Sequence, residues 1–226
     1  MGYLRSHSVP IRRIPVGAPP IDELLGGGIE AGILTEFYGE PGTGKSTIAI
    51  LASLSVASSG GSVFFVDTEG MSPERLAQLS RGLEPGVLER ISVLRVWAFD
   101  EQEEAVNRAI EASPDLIVID TLTGLFRLEF GDSVEQVRSL AKQLARLVRK
   151  AGRSDIPILF TNQVHVDTRT GEVRAVGGHL VEHAAKCIVR LRRLDTLREA
   201  VLEKHRSMRS GKSVVFRITE RGIEAP

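Results

Sequence analysis

The segment at residues 39–46 constrains this chain more than any other, because its sequence, GEPGTGKS, satisfies the pattern GxxxxGK[ST] in full. An apolar run at residues 33–38 precedes it, and a helix-like stretch at residues 46–57 follows it. A glycine-rich turn between a buried strand and a helix directs successive backbone N–H groups and the helix N-terminus toward a phosphate. The pattern therefore predicts a loop that binds the phosphates of a nucleotide.

The residue types of this loop suit a nucleoside triphosphate with a divalent cation. Lys45 supplies a cation for the β and γ phosphates, and the hydroxyl of Ser46 is a ligand for Mg²⁺. We therefore predict ATP and Mg²⁺ as the cofactors. The predicted cofactor-binding residues of the loop are Gly39, Glu40, Pro41, Gly42, Thr43, Gly44, Lys45, Ser46 and Thr47.

Five apolar runs, most of them continuous, alternate with helix-like stretches along the chain, at residues 33–38, 63–66, 91–97, 116–119 and 156–160. Continuous apolar runs are typical of strands covered on both faces. The alternation predicts an α/β fold with a doubly wound, mostly parallel sheet. Three closely spaced segments, at residues 186–194, 198–204 and 212–219, predict antiparallel strands at one edge of this sheet.

Length and composition limit the organisation of the chain. Its 226 residues fit one ATPase domain at residues 16–226, preceded by an arm or linker at residues 1–15. One cysteine and no apolar leader or membrane-length run predict a cytoplasmic protein without a membrane partner. The 29 basic and 29 acidic residues balance, so any affinity for nucleic acid must come from local patches.

A helix is predicted at residues 134–151, with an apolar stripe and a basic face. The stripe consists of Val137, Leu140, Ala141, Leu144, Leu147 and Val148, and the basic face of Arg138, Lys142, Arg146, Arg149 and Lys150. A basic helix face is most often solvated, and a partner or DNA surface is the alternative.

Three polar residues follow apolar runs at the predicted nucleotide edge of the sheet. Asp120 ends the run at residues 116–119 and is the candidate Walker B aspartate, a second Mg²⁺ ligand beside Ser46. Glu69 is the candidate catalytic base for an attacking water. Gln163 could sense the γ-phosphate through a hydrogen bond and pass its position to the next loop. Together with Lys45, we predict Glu69 and Gln163 as the catalytic residues.

These segments, in this order, resemble the RecA/RadA recombinase family from residue 16 to residue 224. The most specific are VDTEGMSPERL, LIVIDTLTGLFRLE, ILFTNQVHVD and the ending AVLEKHRSMRSGKSVVFRITERGIE. The resemblance implies a RecA-like ATPase core in which Glu69 is the catalytic carboxylate and Arg75 stacks on adenine. It also implies that Lys204 and Arg206 act on the γ-phosphate of a neighbouring copy, and hence a homo-oligomer.

The resemblance further implies that single-stranded DNA meets two loops, at residues 127–134 and 165–178. The predicted DNA-binding residues are Arg127 in the first loop and Arg169 and Arg174 in the second. About two to four phosphate contacts would give a salt-dependent affinity with little sequence preference. The first loop also contains Glu129 and Asp132 and lacks the arginine–glycine pattern of the family.

Other departures from the family's pattern indicate an accessory role. Residues 1–15 contain no phenylalanine, whereas full recombinases carry an N-terminal DNA-binding domain and a phenylalanine anchor for polymerisation. The resemblance therefore implies a mediator with weak ATP hydrolysis, acting beside a RadA-like recombinase and a Holliday-junction resolvase. Two alternatives are a KaiC-like signalling ATPase, although the paired glutamates of that family are missing at residues 67–70, and an ATP-gated interaction module without turnover.

Overall fold

The structure is a computed structural model that describes residues 11–130, 134–166 and 173–226. Its strands are β1 (Arg13–Ile14), β2 (Ile29–Glu30), β3 (Leu34–Gly39), β4 (Val63–Asp67), β5 (Ile91–Arg95), β6 (Leu116–Asp120), β7 (Ile158–Asn162), β8 (Val164–Val166), β9 (Val173–Ala175), β10 (Cys187–Leu194), β11 (Leu197–His205), β12 (Ser213–Thr219) and β13 (Gly222–Glu224). Its α-helices are α1 (Pro19–Leu24), α2 (Lys45–Ser58), α3 (Pro73–Leu79), α4 (Phe99–Ala112), α5 (Gly124–Phe130), α6 (Val134–Ser154) and α7 (Gly178–Ala184).

A nine-stranded sheet organises the described part of the chain, in the order β13-β12-β11-β10-β3-β7-β6-β4-β5. The neighbouring pairs from β10 to β5 are all parallel. Every residue of β3, β6 and β7 is buried, as continuous apolar runs require when both faces of a sheet are covered. The predicted α/β fold with a doubly wound, mostly parallel sheet is confirmed.

Two hydrophobic clusters cover the two faces of the sheet. Helices α1 and α2 pack on one face, where Ile21, Ile48 and Phe65 are fully buried. Helices α4, α5, α6 and α7 pack on the other face, which contains Ile119 and Phe160. Among the described helices, none is long and apolar enough to span a membrane.

The C-terminal strands extend the sheet beyond β10, partly as predicted. Strands β11, β12 and β13 are antiparallel to their neighbours, but β10 itself runs parallel to β3. The antiparallel edge therefore begins one strand later than the sequence predicted. β10 follows β7 by way of α7, and a helical crossover allows parallel pairing, whereas the short turn after β10 requires antiparallel pairing.

The segment before the domain contributes a short strand. In β1, Arg13 and Ile14 pair antiparallel with Glu30 and Ile29 of β2. The main chain of Ala31 also donates a hydrogen bond of 2.9 Å to the Arg12 carbonyl. These residues were predicted to belong to an arm or linker, and the structure places them against the domain.

Candidate functional site

The carboxyl ends of β3, β7, β6 and β4 meet at one edge of the sheet, because these four neighbours are parallel. The glycine-rich loop follows β3, Gln163 follows β7, and Glu69 lies two residues after β4. Asp120 is the last residue of β6 and pairs in register with Asp67 of β4. The predicted catalytic and metal-binding residues therefore share one edge.

Glycine is required at several positions of the loop at residues 39–46. A Cβ atom on Gly39 would lie only 2.4 Å from the carbonyl oxygen of Leu191 on β10. Gly42 and Gly44 have φ angles of 76° and 103°, in the left-handed region that favours glycine. The loop thus curls tightly at the N-terminus of α2, where backbone N–H groups are free to bind an anion.

Lys45 is held inside the loop. Its ammonium group donates hydrogen bonds to the carbonyls of Gly39 at 2.9 Å and Glu40 at 3.0 Å. Burial lowers the pKa of Lys45, while the nearby carboxylates of Glu69 and Asp120 oppose that shift. The side chain is therefore a buried cation that faces two acidic groups across the site.

Asp120 is the buried carboxylate of the site, and its side chain lies beside Ser46. Burial raises the pKa of Asp120 to about 6, whereas hydrogen bonds from Thr161 and Ser46 oppose the shift. A buried carboxylate next to a serine hydroxyl at the end of the loop suits a hard cation that prefers oxygen ligands. The Ser46 hydroxyl and the Asp120 carboxylate thus fit Mg²⁺ chemically, and their role as its ligands stays a prediction.

Glu69 and Gln163 are in direct contact. The Gln163 amide donates a hydrogen bond of 2.5 Å to Oε1 of Glu69, and the Thr121 hydroxyl lies 3.4 Å from the same oxygen. Gln163 can therefore fix the direction in which the Glu69 carboxylate points. A displacement of one of these two side chains would therefore change the position of the other.

Two buried threonines fix the spacing between β4 and β6. The Thr121 main chain donates to the hydroxyl of Thr68 at 2.7 Å, and that hydroxyl donates to the Thr121 carbonyl at 3.0 Å. Asp67 accepts hydrogen bonds from the main chain of Gly70 and Met71, both at 2.8 Å, and so shapes the turn that carries Glu69. Sequence reasoning missed these residues, because small polar side chains at strand ends have many other uses.

A buried network lies behind Gln163 and was also missed. Asn162 donates hydrogen bonds of 2.8 Å to Glu36 on β3 and to the carbonyl of Val176, and Thr123 donates to Asn162. The network joins Thr123, four residues before the first predicted DNA loop, and Val176, near the end of the second, to the centre of the sheet. The one available signal was Glu36, a charged residue inside a strand that is buried throughout.

The C-terminal strands support the loop from the side. Arg198 on β11 donates a hydrogen bond of 2.9 Å to the carbonyl of Gly42. A Cβ atom on Gly44 would lie 2.9 Å from Cδ1 of Ile218 on β12, so a larger residue there would require the Ile218 side chain to shift. Arg198 is a loop-supporting residue that sequence reasoning did not identify.

Arg75, the predicted adenine-stacking residue, lies on α3 and contacts the end of β12. Its guanidinium donates to the carbonyl of Thr219 at 2.9 Å and to the side chain of Gln78 at 3.2 Å. Burial lowers the pKa of Arg75, and Glu220 opposes this shift. The stacking role remains a prediction.

Lys204 and Arg206, predicted to act on a neighbouring copy, lie away from the chain's own loop. Lys204 pairs in register with Ile188 of β10, which is opposite Glu36 of β3. Glu36 is three residues before Gly39, or about 10 Å along the strand. Lys204 donates to the carbonyl of Glu182 at 2.6 Å, and Arg206 forms an ion pair with the buried Glu30.

Arg127 and Arg174, two of the predicted DNA-binding residues, flank the same sheet edge. Arg127 is exposed on α5, and its guanidinium lies 3.4 Å from the Val164 carbonyl on β8. Arg174 is exposed on β9, which pairs antiparallel with β8. Arg169 lies outside the described residues. The contact from α5 to β8 thus brings the two predicted loops side by side.

The boundaries of both predicted loops were wrong. Residues 127–130 belong to α5, and residue 134 begins α6. In the second loop, residues 165–166 and 173–175 form strands, and α7 begins at Gly178. The sequence did not predict these two strands, because apolar and polar residues alternate over only three residues in each. The pairing that stabilises them is visible only in three dimensions.

The complete phosphate-binding loop, the buried aspartate on an adjacent parallel strand and the antiparallel extension define a P-loop NTPase of the RecA type. The chain matches the Rad51 family over residues 7–226. It therefore belongs to the Rad51 family.

Individual relatives agree with this assignment. The chain is 39% identical over 220 residues to the DNA repair and recombination protein RadB of Thermoplasma acidophilum, covering 94% of both proteins. It is 42% identical over 220 residues to RadB of Thermococcus onnurineus, covering 93% of this chain and 96% of that protein. A crystal structure of the RadB recombinase is similar with a TM-score of 0.81 and 38% identity, covering 94% of this chain and 99% of that one. The resemblance to the RecA/RadA recombinases is confirmed.

Proposed function

We propose that this chain is a RadB-like recombinase paralogue that acts in DNA repair and homologous recombination. In this proposal it binds ATP with Mg²⁺, hydrolyses the ATP weakly and binds single-stranded DNA. Its proposed partners are a RadA-like recombinase, a Holliday-junction resolvase and other copies of the same chain. One observation carries the proposal. Lys45, Asp120, Glu69 and Gln163 converge at the edge of the sheet where the strands meet the phosphate-binding loop.

The geometry supports a division of labour among these residues. The loop N–H groups and Lys45 bind the phosphates, and Ser46 and Asp120 hold the metal. Mg²⁺, when bound, neutralises charge on the phosphate oxygens. Glu69 takes the proton of the attacking water at its carboxylate, and Gln163 keeps that carboxylate oriented.

The first test concerns turnover. Glu69→Gln should retain ATP binding but lose hydrolysis by about 100-fold or more, since a positioned base contributes on that order. Lys45→Ala should instead lose binding, which a fluorescent ATP analogue measures directly. Glu74→Gln, an exposed carboxylate on α3, is the matched control. Unchanged phosphate release in Glu69→Gln would remove Glu69 from the mechanism.

The same assay separates the three candidate functions. Phosphate release that single-stranded DNA stimulates supports the recombinase paralogue. Steady release without DNA would favour the KaiC-like ATPase, and no release with intact ATP binding would favour the interaction module. Membership of the Rad51 family favours the recombinase interpretation.

The second test concerns DNA. The double variant Arg169→Ala and Arg174→Ala should weaken binding of single-stranded DNA. It should also lower the slope of log affinity against log salt by about one for each phosphate that the protein no longer neutralises. Arg127→Ala should have a smaller effect of the same kind. Fluorescence anisotropy across a salt series measures both quantities. An unaltered slope in the double variant would reject the second loop as the DNA site.

A further inference from the structure

The helix α6 leaves part of its apolar stripe uncovered. Val137 and Val148 belong to the stripe that the sequence predicts as buried, yet they are 42% and 39% exposed. Ala145 is also exposed and lies between them on the same side. Apolar surface left in contact with water on a helix marks an interaction site when it is contiguous.

The exposed stripe forms one wall of a groove, and α7 forms the other. The groove has a volume of about 690 Å³ and is lined by Ala141, Leu144, Ala145, Val148, Leu180 and Ala184. A second cavity of about 370 Å³ shares Leu180 and continues the groove toward Val137 and Phe126. From Val137 to Val148 the helix rises about 16 Å, which matches about three turns of a docked helix.

Cations border this groove on its α6 side. Arg149 lines it, and Arg138 and Lys142 lie on the adjacent face of the same helix. In the described part of the chain, none of these three side chains forms an ion pair or a side-chain hydrogen bond with another residue. Residues 138–153 contain six basic residues and no carboxylate. On the opposite wall, Lys186 adds a further cation.

We propose that the groove between α6 and α7 binds an acidic amphipathic helix of another protein. The apolar side chains of that helix would fill the groove, and its carboxylates would pair with Arg138, Lys142 and Arg149. Helix-in-groove recognition uses apolar residues spaced at i, i+3, i+4 and i+7, which suits a groove of this length. The opposite charges supply orientation and specificity.

Three other occupants fit less well. Nucleic acid would use the cations, but the groove of about 690 Å³ is lined mainly by small aliphatic side chains, and its only ring side chains among the described residues are His179 and His183. A second copy would have to offer an acidic helix, but α4 buries its apolar residues Phe99, Val106 and Ala109 in its own core. The chain's own residues 1–10 carry Arg5 and no carboxylate, which is the wrong charge.

Selection from a phage-displayed library of random peptides, each of about 16 residues to span the groove, tests the proposal with the full-length protein. We expect the enriched peptides to be acidic, with apolar residues at helical spacing. Ala145→Glu places a charge in the groove at an exposed position, and Arg149→Glu reverses a rim cation. Each should weaken the selected peptides at least about tenfold. Lys212→Glu, an exposed charge reversal at a residue that does not line the groove, should leave binding unchanged.

Several results would overturn this assignment. One is enrichment of neutral or basic peptides, and another is equal binding of acidic peptides to wild type, Ala145→Glu and Arg149→Glu. Loss of single-stranded DNA binding in Arg149→Glu, with no selected peptide affected, would assign the face to nucleic acid. Loss of self-association in Ala145→Glu, measured by sedimentation in the absence of peptide, would assign the groove to a second copy.

Discussion

At the scale of single residues, Glu36 is a carboxylate inside the parallel sheet. Burial raises its pKa from 4.5 to about 7, and the nearby Glu203 and Glu182 act in the same direction. The hydrogen bond from Asn162 opposes the shift but does not offset it. Glu36 therefore accepts a proton far more readily in the folded chain than in the unfolded one.

This shift predicts a pH dependence of stability. Because the folded state binds the proton more tightly, the contribution of Glu36 falls as pH rises from about 4.5 to about 7 and is then constant. Glu36→Gln keeps an acceptor for Asn162 and removes the charge. The variant should be more stable than wild type at about pH 8, by at most about 3 kcal/mol, and close to it at about pH 5.

Urea unfolding of both proteins at the two pH values measures the difference. Glu104→Gln, in an exposed ion pair with Arg108, serves as the control and should show no comparable change with pH. A stability difference between Glu36→Gln and wild type that is the same at both pH values would show that Glu36 does not titrate in this range.

At the residue scale, the sequence is most informative where a spacing defines the chemistry. Lys45, Ser46 and Asp120 could be placed because a glycine loop and a strand end dictate where their side chains lie. The contact of Asn162 with Glu36 could not be placed, because it joins residues 126 positions apart. Nothing in the local sequence of either residue specifies that pairing.

At the scale of elements, a buried charge cluster ties the N-terminal strands to the end of β11. Glu30 of β2 has a fully buried side chain and forms an ion pair with Arg206. Its other oxygen lies 3.1 Å from the Ser207 hydroxyl, 3.5 Å from Arg13 and 3.7 Å from His205. One carboxylate thus joins β1, β2 and the segment after β11.

Removing that charge should loosen all three elements. Glu30→Gln leaves Arg13 and Arg206 without their anion, and we expect the free energy of unfolding to fall by about 2 kcal/mol. The loss should be smaller than for a wholly buried pair, because Arg206 is 45% exposed and can be hydrated. Urea unfolding measures the effect, with Glu104→Gln as the control expected to change by less than about 0.5 kcal/mol. An equal change in both variants would show that the cluster contributes no more than a surface pair.

Element prediction from sequence was accurate for the buried strands and weaker at the sheet edge and the surface. Strands β4 and β6 read as continuous apolar runs, and the structure confirms them. β10 pairs with a parallel strand on one side and an antiparallel strand on the other, which its alternation does not reveal. In α6, the period of apolar residues gives the helix but not which of them another element covers.

At the scale of the whole molecule, the phosphate-binding loop and Lys204, the candidate trans-acting cation, lie at different positions along the strands of the sheet. Gly39 is opposite Leu191 of β10, whereas Lys204 is opposite Ile188, three residues earlier. Since Lys204 also bonds to α7, it does not reach the loop of its own chain in this structure. A contribution of Lys204 to hydrolysis therefore requires a second copy that brings its cation to the first copy's γ-phosphate.

Mixing two inactive variants distinguishes a contribution in trans from one in cis. Lys45→Ala has a defective loop but an intact Lys204. Lys204→Ala has an intact loop but lacks the cation. Each alone should release little phosphate, whereas equal amounts together should recover activity at about a quarter of the interfaces, where an intact loop meets an intact cation. Phosphate release is measured at constant total protein with single-stranded DNA. As a control, Lys45→Ala is mixed with the double variant that carries both Lys45→Ala and Lys204→Ala. This mixture should recover no activity, because no intact loop is present. If Lys204→Ala alone keeps the wild-type rate at every protein concentration, the cation has no role in hydrolysis.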